Sequence, residues 1–341
     1  MTPPAPRPLD ERVPYPLLVA GLAALALVLC AASAAIGYVP IDLGAALADL
    51  LAGRPTLPAL VLAELRLPRA VLGLLVGFSL GLTGAAMQGW LRNPLAEPGL
   101  VGVSSSAALG AVIVFYNNLS ASVALALPLG GMAGAAAAAV LLNVMAARGA
   151  GTTTLVIGGI AINSLAGSLT ALALNLAPNP YATLEIVFWL MGSLADRGTH
   201  QLWLVLPPML AGWALCLSGA RALDALTLGE DTARSLGFNL VALRVRLIAG
   251  AALAVGSAVS VTGAVGFVGL VAPHLLRPLV GARPGRLLPV AGLAGASLTL
   301  AADIAVRLLP TRPELKLGVV TALIGAPFLI ALIARLRREE A

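Results

Sequence analysis

RLPRAVLGLLVGFSLGLTGAAMQGWLRNPLAEPGLVGVSSSAALGA, residues 66–111, is the stretch on which the fold turns. Arg66 and Arg69 bracket Leu67–Pro68, and an apolar run long enough to cross a bilayer follows. Gly73, Gly77, Gly81 and Ala85 recur every fourth residue, so one helix face is smooth enough for another backbone to lie against it. Asn93, Pro94, Pro98 and Gly99 then break the helix, and a new one starts near Leu100. Locally this is a packed helical hairpin. It is also the pattern of a broken segment lining a cavity, because irregular backbone at membrane depth is not tolerated against lipid.

The same character runs through the whole chain. Of 341 residues, 59% are hydrophobic and 11% charged, with a mean hydropathy of +0.97. A soluble domain carries about 25% charged residues. The apolar excess is spread evenly, which excludes a soluble enzyme with one anchor, and a disordered chain would be poor in apolar residues. Apolar runs fall at 17–37, 68–90, 99–116, 121–146 and 154–175, then at 201–219, 247–264, 266–281, 287–308 and 317–334. The predicted fold is all-α, a polytopic membrane protein of about ten helices. The first run is too long for a signal peptide and reads as a retained span. TLEIVFWLMGSL, 183–194, is too short to cross and reads as an interfacial or re-entrant helix.

Ten spans put both termini on one side. With that side cytoplasmic, fourteen basic residues lie inside and seven outside, the bias expected of a positive-inside protein. The net charge of +6 and pI of about 10.1 thus orient the chain. Basic residues scattered singly between apolar runs do not make a nucleic-acid surface. The organisation predicted is a cytoplasmic tail 1–16, one membrane domain 17–334 containing a polar segment 222–243, and a cytoplasmic tail 335–341. Lys316 is the sole lysine and stands in Glu314–Leu315–Lys316–Leu317, so the chain has no G-x-x-x-x-G-K-[ST] phosphate loop. A transporter built from it takes its energy elsewhere. Cys30 and Cys216 read as packing residues. His200 and His274 lack metal-ligand spacing, and neither a metal site nor a catalytic constellation is expected.

Two further segments carry pattern. In LTLGEDTARSLGFNLVALR, 226–244, Thr227 and Glu230 predict a capping box, with Glu230 and Asp231 in the first turn. Gly237 predicts a left-handed stop and Asn239 a cap for the next helix. A short helix over 228–236 then lies on the inner surface, and its acids suit a protein partner better than an anionic leaflet. In VTGAVGFVGLVAPHLLRPLVG, 261–281, Pro273 interrupts the run and His274 and Arg277 share a face, reading as a headgroup or subunit contact. A shift of 179 residues aligns 76–102 with 255–281, including Gly84 with Gly263 and Pro94 with Pro273. Because the two stretches would cross in opposite senses, an inverted repeat of spans two to five and seven to ten is expected.

These segments resemble the permease family of type II ABC importers for iron–siderophore, haem and cobalamin, the BtuC/FecCD-like family. The matching blocks are RLPR (66–69), MQGWLRNPLAEPGLVGVSS (87–105), FWLMGSL (188–194), LGEDTARSLG (228–237), GFVGLVAPHLLR (266–277) and GVVTALIGAPFL (318–329). The resemblance implies ten helices per subunit and alternating access that moves an iron chelate or cobalamin inward across a bacterial inner membrane. It implies a second permease subunit, two ATPase subunits that hold ATP and Mg, and an extracytoplasmic binding protein. This chain would hold no cofactor and, beyond membrane lipid and those proteins, no nucleic acid.

The resemblance also assigns roles. Leu228, Gly229, Glu230, Asp231, Ala233, Arg234, Leu236 and Gly237 match the helix that docks into the ATPase. Arg66, Arg69 and Arg307 match arginines that grip acidic residues of the binding protein, with the alternative that Arg66 and Arg69 anchor a span at the headgroups. Thr152 and Thr153 align with the cytoplasmic gate, and Asn93 and Pro94 stand at the broken helix of the pore. Two departures stand out: Lys316 replaces the proline of E-L-P-[VI]-G, and Ser106 replaces the glycine of GVSSG. The competing class is an ion-coupled secondary transporter, which requires an intramembrane acid; Glu97, Glu185 and Asp303 all fall near span ends.

Overall fold

A computed structural model describes residues 14–340 apart from 38, 118, 120–122, 124, 178, 179, 282, 310 and 312. Residues 1–13 of the expected amino-terminal tail, with Arg7 and Arg12, lie outside the described residues. Every regular element among the described residues is helical. In order these are α1 (Tyr15–Ala35), α2 (Leu43–Leu51), α3 (Leu57–Leu91), α4 (Val103–Tyr116), α5 (Ala126–Ala147), α6 (Thr152–Asn175) and α7 (Pro180–Leu190). Then follow α8 (Thr199–Ser218), α9 (Ala220–Leu226), α10 (Glu230–Ser235), α11 (Leu240–Thr262), α12 (Val268–Leu276), α13 (Pro284–Leu308) and α14 (Leu317–Glu340).

Seven of them are long and apolar enough to cross a membrane: α1, α3, α5, α6, α8, α11 and α13. Three shorter apolar stretches, Val103–Tyr116, Val268–Val280 and Leu317–Ala331, coincide with the remaining predicted spans. The chain is a polytopic all-α protein. The helices extend past the predicted spans: α3 begins eleven residues before its span, at Leu57, and α14 continues as helix through Glu340.

Pro68 explains the irregular turn within α3. It has no N–H to give to the preceding turn, and that turn, Leu62–Arg66, is wound as a π-helix, with the Leu67 N–H reaching Leu62 O. Arg66 closes the wide turn and Arg69 follows one turn later. Beyond them the small-residue stripe meets α13. A Cβ on Gly81 would stand 2.0 Å from the carbonyl oxygen of Ala291, and one on Gly77 2.4 Å from that of Gly295. Only glycine lets these two backbones touch. Burial confirms which helices are central: 83% of the apolar window of α3 is buried and 72% of that of α13, against 17% for α1 and α6.

The packing pairs obey an exchange. α3 lies on α13 and α11 on α5; α4 packs on α5 and α12 on α13; α3 touches α12 and α11 touches α4. Swapping α3–α6 for α11–α14 maps each pair onto the other, as an inverted repeat requires. The residue register of the 179-residue shift is wrong, however. It pairs Gly84, inside α3, with Gly263, the C-cap of α11 at φ +72°, whereas matching the helix ends sets Leu91 against Thr262.

Candidate functional site

Two constellations of charge sit at opposite ends of the bundle. The first is the turn from α9 to α11. Thr227 does not cap α10: its hydroxyl donates to Asp224 O at 2.7 Å, and Gly229, at φ +105°, takes the N-cap position. The predicted capping box is therefore absent, and the helix spans Glu230–Ser235. Gly237 stops it at φ +86°, and the Asn239 side chain accepts the Ala242 N–H at 3.0 Å to start α11, both as expected.

Freed from capping, Glu230 points into the protein. Arg244 Nη2 lies 3.1 Å from each of its oxygens, and Arg244 Nη1 donates to Ala150 O at 3.2 Å. Thr152, at the start of α6, donates to Glu230 Oε1 at 3.3 Å, and Arg234 reaches its other oxygen at 3.0 Å. The Arg244 side chain is only 7% exposed. Ala233 is fully buried beneath the helix, while Leu228, Leu236 and Asp231 face outward, Asp231 being 99% exposed. The short helix and its flanking turns thus present two leucines and a carboxylate, and are strutted from behind onto α6 and α11. Glu230 and Thr152, assigned to different roles in the sequence, meet here; Thr153 is exposed beside them. Asn93 is apart from this group: its side chain accepts the Leu95 N–H at 2.9 Å and closes the turn at Pro94. Arg244 was missed because only its fold places it against Glu230.

The second constellation lies at the far end. Arg69 donates to Asp303 at 2.8 Å and also pairs with Glu314. Arg307 pairs with the other oxygen of Asp303 at 2.8 Å and donates to Ser33 O at 2.8 Å, Ser33 Oγ at 2.7 Å and Ile36 O. Arg66 donates to Ala35 O at 2.7 Å and to Val39 O. These carbonyls include the end of α1, where helix groups lack intrahelical partners and the dipole is negative. All three expected docking arginines are therefore engaged within the chain, bolting α1 onto α3 and α13, and a direct grip on a partner requires exchanging those bonds. Asp303 is 2% exposed and sits inside α13. It is a buried acid held by two arginines.

The three arginines line one cavity of about 430 Å³, which shares Asp196, Arg197 and Lys316 with a neighbour of about 520 Å³ containing Glu185 and Trp189. Asp196 is at φ +57°. Burial pushes the Arg197 guanidinium below its ordinary range, with Asp196 partly opposing. Lys316, the departure from the family pattern, places its ammonium 5.6 Å from the centre of the Phe188 ring.

Residues 25–335 match the model of the FecCD transport family. The cobalamin import system permease protein BtuC of Halobacterium salinarum is 38% identical over 84% of this chain and 76% of its own. The ferric enterobactin transport system permease protein FepD of Escherichia coli is 40% identical over 82% and 84%. The hemin transport system permease protein HmuU of Yersinia pestis is 38% identical over 81% and 84%. A solved metal-chelate type ABC transporter in an inward-facing conformation superposes with a TM-score of 0.83 at 30% identity, covering 94% of this chain and 99% of that one. The chain is a member of the FecCD transport family.

Proposed function

We propose that this chain is the translocation-pore subunit of an ATP-driven importer that carries an iron chelate, siderophore or haem, or cobalamin into the cytoplasm by alternating access. The carrying observation is the α10 surface: Leu228, Asp231 and Leu236 outward, Glu230 tied behind to Arg244 and Thr152. An ATPase subunit grips that surface, and its movement reaches α6 through the Glu230 contacts. ATP and Mg belong to that subunit, since this sequence has no phosphate loop. The α10 end faces the cytoplasm with both termini, in the inner membrane of a bacterium, and a second permease subunit completes the pore.

At the opposite end, an acidic side chain of an extracytoplasmic binding protein enters the cavity of Arg66, Arg69 and Arg307 and competes with Glu314 for Arg69. Bidentate arginine–carboxylate geometry suits such an exchange.

The competing reading is ion-coupled transport, for which Glu97, in the break between α3 and α4, is a candidate acid. The deciding experiment is uptake of labelled ferric siderophore, haem or cobalamin into proteoliposomes holding the chain with its ATPase and binding protein. Uptake that needs ATP, survives a protonophore and is lost in Leu228→Asp/Leu236→Asp supports the importer. Uptake without ATP, abolished by a protonophore and by Glu97→Gln, overturns it.

A further inference from the structure

Arg69, Arg307 and Arg244 each face a carboxylate. Arg92 and Arg277 do not: among the described residues neither has an ion pair. Both line a cavity of about 250 Å³ at the α10 end, bounded by Gln88, Thr227 and Pro284. Arg277 donates one Nη to Gln88 Oε1, and the Gln88 amide is held in turn by Leu270 O at 3.4 Å. The Arg277 Nε is buried with no acceptor. Arg92 stands at the end of α3 in a left-handed conformation, φ +48°, which few side-chain-bearing residues adopt. Asp224 is near, but its carboxylate accepts the Gly285 N–H at 2.7 Å at the start of α13. Arg92, which is exposed, and Arg277, which is half-buried, line one recess, and the buried Nε–H of Arg277 meets no acceptor. Such a donor is costly to leave unmet, and an anion would satisfy it.

We infer that this recess binds a phosphate oxyanion, and that its source is the headgroup of an anionic phospholipid. Paired guanidinium groups match the fork geometry of phosphate oxygens. The recess opens where α3 ends and α13 begins, at the ends of two spans, and basic pockets between spans on the cytoplasmic side attract anionic lipid. The assignment of leaflet rests on the orientation proposed above; the chemistry of the recess does not.

The test uses the full-length chain purified in neutral detergent, with thermal unfolding followed during titration by phosphatidylglycerol, phosphatidylcholine or inorganic phosphate. Phosphatidylglycerol should raise the midpoint and phosphatidylcholine should not. Arg92→Gln/Arg277→Gln should need at least about tenfold more phosphatidylglycerol, the loss of one charge-assisted contact or more. Arg277→Lys should fall between, and Arg148→Gln, on an exposed turn, should titrate as the parent does. If the double variant fails to fold, Arg92→Gln alone, at an exposed residue, should show a weakened titration. Inorganic phosphate acting at the same concentration supports the oxyanion site with a free anion as its source; its inactivity supports the headgroup. Equal binding of phosphatidylcholine, or an unshifted double variant, overturns the inference. So does loss of ATPase assembly in the double variant with lipid binding intact, which would give the arginines to a partner's carboxylate. Lipid binding in detergent does not depend on membrane orientation, so a failure here is separate from a failure of the importer reading.

Discussion

Replacing Glu230 by Gln separates an internal strut from a surface contact. The carboxylate faces Arg244 at 3.1 Å, Arg234 at 3.0 Å and Thr152 at 3.3 Å. In Glu230→Gln the Arg244 guanidinium keeps the Ala150 carbonyl but loses its counter-charge. Breaking a buried pair costs about 3–5 kcal/mol. Arg244 is buried, yet the Glu230 side chain is 30% exposed, so water recovers part of that, and the half-exposed Arg234 pair adds about 0.5 kcal/mol at most. The expected loss is about 2 kcal/mol, read by thermal or denaturant unfolding of the purified chain. The stricter measure is a double-mutant cycle with Arg244→Met, whose coupling energy should be about 2 kcal/mol. Asp231→Asn, at an exposed carboxylate paired only with the exposed Arg234, should change stability little while weakening ATPase assembly. A coupling energy below about 0.5 kcal/mol, or a Glu230→Gln protein that unfolds normally yet fails to assemble, would refute the strut and return Glu230 to the partner surface.

Three further outcomes follow from the packing and the charges. Gly81→Leu should prevent accumulation of folded protein, because its Cβ meets the Ala291 backbone at 2.0 Å and no rotamer relieves that; Gly21→Ala, with open space around it, should accumulate as the parent does in a membrane-fraction blot. Asp303→Asn should lower stability by about 3 kcal/mol and more than Glu314→Gln, whose side chain is 17% exposed against 2% for Asp303, in paired unfolding curves. Asn239→Ala should cost about 1 kcal/mol through loss of the cap on Ala242, and Asn239→Asp should restore most of it.

The apolar runs located the spans because length against bilayer thickness is a strong constraint. The α2 and early α3 segments escaped it. Asp49 interrupts the first and Arg54 follows it, and Glu64 and Arg66 sit in the π turn before Pro68, so the sequence there looks like a polar loop. Local chemistry was also overridden at Thr227, where Gly229 at positive φ takes the helix start and Glu230 finds a stronger partner in Arg244. The glycine stripe announced a contact face but not its mate, since Gly81 and Ala291 are brought together only by the fold. The arginines were legible as a set for the same reason their contacts were not: Arg69 and Asp303 are 234 residues apart.

That separation changes what the charge bias means. At the Arg69 end four basic groups are engaged within the chain: Arg69 on Asp303 and Glu314, Arg307 on Asp303, Arg66 on the Ala35 carbonyl at the end of α1, and Arg54 on Asp49. At the α10 end Glu230 faces Arg244 and Asp224 accepts the Gly285 amide, while Arg92 and Arg277 form no ion pair among the described residues. The net +6 is therefore not a uniform property of the surface. On the orientation proposed above, the excess lies at the α10 end, where it faces the leaflet and the ATPase partner. An orientation rule counted from residues and an anion site built from two arginines are then two consequences of one distribution.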